Sequence, residues 1–289
     1  MDILATPLGW VMRLIYNIIQ NYGLTIIVFT LLVKLILLPF AIKQQKSSAK
    51  MAVVQPQMLE IQKKYAKNQQ KMNEELAALY AREGYNPTSG CLTLFIQFPI
   101  IMGLYNVIYR PLTHVLGISS ELVTKATDIA TAMGVLPEKV YSAEPFIITA
   151  LQNDPSAFSE LGADVVSKIQ SLDLMFLGIN LGAIPQFNIF ASSWAWDWAH
   201  IGALLIALLS AGNQVITMLV SQKLNNSVIT NEKGVKDEEL AKNSQAAQTT
   251  KTMMFTMPLM MLWIGFTVPA ALSLYWFIGG VFRMITDPI

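Results

Sequence analysis

A single lysine, Lys34, stands in the middle of the apolar run LTIIVFTLLVKLILLPFAI, residues 24–42. As a helix, that run is long enough to cross the hydrocarbon core of a bilayer. Lys34 lies eight residues before the end of the run, about 12 Å at helical rise, too deep for its ammonium to snorkel fully into water. A charge at that depth costs roughly 2.5–3.5 kcal/mol on insertion scales and persists where it faces protein or water. The chemistry open to it is electrostatic. Either it pairs with an acid on another span, or it is a functional charge that meets an anionic visitor.

No Asp or Glu occurs in the apolar runs 24–42, 91–109, 199–220, 252–268 or 270–286, and His114 and His200 both fall near one side of the membrane. The pairing reading therefore finds no acid, and water, dipoles or a visiting anion must serve the lysine. Polar uncharged residues do recur at helical spacing. Ser210, Asn213, Gln214, Thr217 and Ser221 share one face of the third run, and Thr30 stacks one turn before Lys34. Thr93 and Gln97 share a face of the second run; Thr252 and Thr256 share one of the fourth, with Trp263 and Thr267 beyond. Isolated threonines read as interhelical hydrogen bonds, each worth about 0.6 kcal/mol. The third-run stripe beside an unpaired cation reads as the wall of a hydrated cavity. Lys34, Thr30, Gln97, Ser210, Asn213, Gln214, Thr217 and Thr256 are the candidate substrate-binding residues.

The elements that would position them form an all-α polytopic membrane protein. With 53% hydrophobic and 13% charged residues, the composition falls in the membrane class. The five runs are read as five spans, and Pro269 supplies a tight turn between the last two. Eight basic residues face four acids in 43–90, four face nine in 110–198, and five face four in 221–251. The positive-inside rule then makes 43–90 and 221–251 cytoplasmic and 110–198 extracellular, with the N-terminus outside and the C-terminus inside.

Residues 1–23 lack the basic start of a signal peptide. They read as an interfacial amphipathic helix, with Leu8, Val11, Leu14, Ile15, Ile18, Ile19 and Tyr22 on one face and Arg13, Asn17, Gln20 and Asn21 on the other. Segment 43–90 reads as a cytoplasmic helical hairpin with arms 47–67 and 69–82, closed by Gly84. Its lysines obey the topology rule; they also suit anionic lipid or a nascent chain. In 110–198 a helical insertion is expected, with caps at Ser119 or Ser120, at Ser142 and at Asp154, and no strands. Residues 174–190, broken by glycines and followed by Trp194, Trp196 and Trp198, read as a re-entrant or interfacial stretch. Segment 221–251 is a polar cytoplasmic loop. Methionines 253, 254, 257, 260 and 261 suit a surface that accepts varied apolar partners, or a plain core.

Enzyme chemistry is not expected. A phosphate-cradling GxxxxGK[ST], an HExxH and a Ser/His pair at membrane depth are all missing, and one cysteine, Cys91, makes no metal cluster. No cofactor or metal is implied.

Three stretches, LLVKLILLPFAIKQQKSSAKM (31–51), NPTSGCLTLFIQFPIIMGLYNVI (86–108) and FTVPAALSLYWFIGGVF (266–282), resemble the YidC-type membrane protein insertases, in their five-span Gram-positive form. The resemblance covers roughly 24–110 and 199–286. It implies a hydrophilic groove open to cytoplasm and lipid and sealed outside, with Lys34 at the position of the groove's positive charge, where the family usually has arginine. It implies Gln97 and Gln214 as groove-lining residues. Its implied partners are nascent membrane proteins and the lipid bilayer, together with the ribosome and the secretion channel. The implied location is the bacterial plasma membrane. The 117–170 insertion is longer than the family leads one to expect. The rival from the residues alone is a small-anion channel or transporter that uses the same lysine for selectivity.

Overall fold

The computed structural model describes residues 2–84, 89–137, 141–185, 197–224, 256 and 258–286; side chains of 2–4, 48–53, 55–56, 89–97 and 221–224 are not described. The described chain is mostly helical. Helix α1 (Asp2–Ile19) ends where Gln20 takes a φ of +51°. Asn21 then caps α2 (Tyr22–Lys64), its side-chain oxygen accepting the Leu24 N–H at 2.9 Å.

Helix α2 runs unbroken for 43 residues. Tyr22, Ile26, Phe29 and Val33 are buried along one side, while Leu24, Val28, Leu31, Leu35 and Ile36 leave the opposite side bare and apolar. A water-soluble helix would carry polar residues on that bare side. Beyond residue 42 the same helix becomes the first arm of a hairpin. Asn68 caps α3 (Gln69–Glu83) by accepting from Lys71 N at 3.1 Å, and Gly84, at φ +59°, ends it. Leu59 and Leu79 are buried between the arms, Arg82 donates to the Gln57 side-chain Oε1, and the Tyr80 hydroxyl meets Met58 Sδ at 3.8 Å.

Helix α4 (Ser89–Tyr109) leads to a π-helical turn, Leu112–Leu116. Helix α1 packs on both. Arg13, expected on a solvated face of α1, instead donates to the Thr113 and His114 carbonyls at 3.1 and 3.2 Å. Met12 and Tyr16 are buried, and the bare stripe of α1 is Trp10, Leu14 and Ile18. Three tyrosines, Tyr105, Tyr109 and Tyr141, stack within 4.9 Å of one another, and the Tyr109 hydroxyl donates to Thr267 O at 3.2 Å.

The insertion that follows holds α5 (Ser120–Ala132), α6 (Glu144–Asn153), a 3-10 helix (Pro155–Leu161) and α7 (Ala163–Gln170). Ser119 and Asp154 cap as their types suggest, accepting from Leu122 N and Ala157 N. The third helix is not continuous to Ser171, because Gly162 at φ +87° breaks it. The expectation of an all-helical insertion also needs correcting. Two short strands, β1 (Met175–Phe176) and β2 (Ile179–Asn180), pair antiparallel as a hairpin across Leu177-Gly178. Trp194 and Trp196 lie outside the described residues.

Helix α8 (Trp198–Leu224), a helical stretch at 258–265 and α9 (Ala270–Thr286) complete the bundle. By length and composition, Tyr22–Ser47 and Trp198–Val220 are able to cross a membrane; Phe98–Tyr109 and Ala270–Thr286 are apolar but shorter. Helix α9 packs between α8 and α2. That contact builds the site.

Candidate functional site

Tyr275, Gly279 and Arg283 recur every four residues on α9 and so form one ridge. Lys34 lies along it. Its Nζ is 5.8 Å from the centre of the Tyr275 ring, within cation–π range. A Cβ at Gly279 would stand 2.9 Å from Lys34 Cε. The glycine therefore makes the notch that the lysine stem occupies, although glycine in a helix costs about 1 kcal/mol relative to alanine.

The adjacent glycine serves the other neighbour. A Cβ at Gly280 would collide with the Asn213 side-chain amide, whose Nδ2 donates to Phe277 O at 2.9 Å. Successive helical positions point about 100° apart, so one residue opens α9 toward α2 and the next opens it toward α8.

The remaining candidate residues divide by exposure. Thr30 is fully buried, its hydroxyl donating to Ile26 O at 2.6 Å. Ser210, Asn213 and Thr217 are at most 5% exposed, and the Thr217 hydroxyl donates to Asn213 O at 2.8 Å. The stripe read as a cavity wall thus turns mainly into protein, with Asn213 making an interhelical hydrogen bond. Gln214 and Lys34 are half-buried and Thr256 is exposed. Gln97 belongs to α4, and its side chain is outside the described residues.

Arg283 was missed in reading the sequence, where Lys34 stood as a solitary cation. It ends the α9 ridge along which Lys34 is seated. A basic residue one turn past Gly279, near the end of an apolar run, was the signal. Among the described residues no carboxylate forms an ion pair with Lys34, and no cluster of His, Cys, Asp or Glu is able to hold a metal.

The one buried acid among the described residues is Glu144, and it serves the insertion. Its carboxylate accepts from Leu112 N at 2.7 Å, Thr113 N at 3.1 Å and the Thr113 hydroxyl at 2.6 Å, capping the π-helical turn. Burial pushes this carboxyl above the usual range, while those hydrogen bonds and the Arg110 charge pull it back.

The family model described as 60Kd inner membrane protein matches residues 14–289. Proteins named membrane protein insertase YidC are similar over shorter stretches. The one from Alkalihalophilus pseudofirmus is 46% identical over 124 residues, 40% of this chain and 48% of its own. That from Clostridium perfringens is 46% identical over 105 residues, 36% of this chain and 44% of its own. That from Beijerinckia indica is 40% identical over 106 residues, 37% of this chain and 18% of its own. The matched stretch therefore spans less than half the length of each of these relatives. With the family model extending over nearly all of it, the chain belongs to the 60Kd inner membrane protein family, that of the YidC insertases.

Proposed function

We propose that this chain is a membrane protein insertase that moves apolar segments of nascent proteins into the bilayer without covalent chemistry. The observation that carries the reading is Lys34. It is a half-buried cation seated on the Tyr275–Gly279–Arg283 ridge, with no carboxylate paired to it among the described residues. Moving a polar flank through about 30 Å of hydrocarbon is prohibitive. A cation part-way across, in a partly dry site, shortens that path for an acidic flank. Net transfer then comes from burying the substrate's apolar helix in lipid.

In this reading Lys34, Gln214, Thr256 and Gln97 meet the substrate. Thr30, Ser210, Asn213 and Thr217 hold the helices that present them. Five spans, an extracellular N-terminus and a cytoplasmic α2–α3 hairpin in the bacterial plasma membrane complete the proposal. Nascent membrane proteins and lipid are the partners, and a ribosome or secretion channel would meet the cytoplasmic side.

Photocrosslinking from Gln214 to a stalled nascent single-span protein tests it. Crosslinks are expected at Gln214 and Thr256 in preference to lipid-facing Leu209 and Ile216. The reverse pattern sinks the reading. Anion flux into liposomes holding this protein alone would favour the channel instead.

A further inference from the structure

The hairpin β1–β2 stands where the long apolar helices begin. Phe176 fills the space over Gly23, the second residue of α2, and Ile179 fills that over Gly202 in the second turn of α8. Just beyond β2, the Leu181 and Ala183 carbonyls accept from Ala271 N and Ala270 N, both at 2.9 Å, at the start of α9. One small element thus bridges the N-terminal ends of α2, α8 and α9. Any membrane that α2 and α8 cross has its boundary at this level.

The turn is built oddly for water. Leu177 and Gly178 have φ of +53° and +79°, the backbone of a tight turn that asparagine, aspartate or glycine normally supplies. A leucine is strained there, yet its side chain touches little, being 77% exposed. Met175 and Ile184 nearby are also exposed. Trp198 lies against the turn: its indole N–H donates to Leu177 O at 2.7 Å, and its ring would meet a Cβ at Gly178 at 2.8 Å, while much of the ring stays bare. The flanking acids are turned to other work, Asp173 accepting from Met175 N and Asp197 from His200 N. The tip itself is uncharged.

We infer that this tip is a lipid anchor, with Leu177 and Trp198 seated in the headgroup–acyl boundary of the leaflet at the N-terminal ends of α2 and α8. Three features select lipid as the occupant. The tip stands beside the first turn of α2, through Phe176 over Gly23, just where the bare apolar side of that helix begins at Leu24 and Val28. An indole whose N–H is bonded and whose ring is bare suits that interface. An exposed leucine kept in a conformation better suited to asparagine gains nothing from water. The anchor would fix the three helix ends to the bilayer surface. The inference rests on α2 and α8 crossing the membrane and stands whether or not the chain inserts substrates.

The test uses the full chain, with Cys91→Ser, in phosphatidylcholine–phosphatidylglycerol vesicles. A fluorophore is attached at Leu177→Cys or, as the control, at the exposed Lys125→Cys. The Leu177 label is expected to be quenched several-fold more by lipid carrying a shallow spin label than by aqueous iodide, with the reverse at Lys125. In a second protein, Leu177→Asn keeps the turn but removes the apolar tip. A label at Met175→Cys is then expected to lose several-fold in lipid quenching while the melting midpoint holds. Free iodide access at Leu177 overturns the inference. So does protection from iodide without lipid quenching, which would mean that protein covers the tip.

Discussion

Replacing Gly279 with alanine asks whether the position of the Lys34 ammonium matters, beyond its presence. The new Cβ would stand 2.9 Å from Lys34 Cε and 3.4 Å from Nζ. Carbon atoms rest at roughly 3.5–4.0 Å, so the lysine tip must shift by about 0.5 Å or more. Its ammonium begins 5.8 Å from the Tyr275 ring centre, already near the ~6 Å limit of a cation–π contact. Displacement therefore takes it off the ring. The contact is worth about 0.5–2 kcal/mol, which is roughly two- to thirtyfold in the population of the seated geometry. Helix propensity acts the other way, favouring alanine over glycine by about 0.8–1.0 kcal/mol. Thermal stability in detergent is thus expected to change by no more than about 1 kcal/mol in either direction while function falls. The assay is the rate at which an acidic-flanked single-span protein enters vesicles containing the variant. A drop of roughly two- to thirtyfold with little change in the melting midpoint is the expected result. An unchanged rate, or a rate that falls only in step with stability, refutes the reasoning. Gly280→Ala is the contrast, because it drives Asn213 off Phe277 and should lower stability itself.

Lys34→Ala and Lys34→Leu are expected to slow insertion of acidic-flanked substrates about tenfold, while Lys34→Arg retains most of the rate. A contact ion pair at about 4 Å carries roughly 4 kcal/mol at a surface-like permittivity; desolvation removes much of it, leaving about one factor of ten. Glu144→Ala leaves the π-helical turn's N–H groups uncapped and should cost about 1–3 kcal/mol by thermal or denaturant unfolding. The pH sign follows from the raised carboxyl of Glu144. Its contribution is complete below the unfolded carboxylate pKa and is lost as pH rises through the higher folded value. Glu144→Gln keeps an acceptor and should flatten that dependence in melts run upward in pH from the unfolded carboxylate value of about 4.3. Asn213→Ala removes one interhelical hydrogen bond, so a loss of about 0.6 kcal/mol, at most about 1.7, is expected in unfolding measurements.

Lys34 stood out as a candidate because a charge within an apolar run has no cheap explanation in one dimension. The two long apolar helices, Tyr22–Ser47 and Trp198–Val220, followed from hydropathy, and the arm's end at Gly84 from glycine's tolerance of a left-handed backbone. What stayed hidden depends on how helices cross. The division of labour between Gly279 and Gly280 exists only once α2 and α8 flank α9, and Arg283 joins the ridge that seats Lys34 the same way. The burial of Ser210, Asn213 and Thr217 reflects which way their shared face turns, and periodicity fixes a face without naming its neighbour. The β-hairpin had two-residue strands and a Leu-Gly turn in place of Asn-Gly, so neither alternation nor turn chemistry marked it. Arg13 looked like a solvated charge because nothing local announces two distant carbonyls.

The uninterrupted course of α2 has a mechanical consequence. Lys34 and the arm that pairs with α3 belong to one rod, and some 45 Å of helix separates the lysine from the far end at Lys64. Pro39 and Pro56 lie within that length, and each removes a backbone N–H from the helical ladder, so these are the points where the rod can bend. A sideways load on α3 would therefore bend α2 at these two joints before it moved the ammonium on its glycine seat.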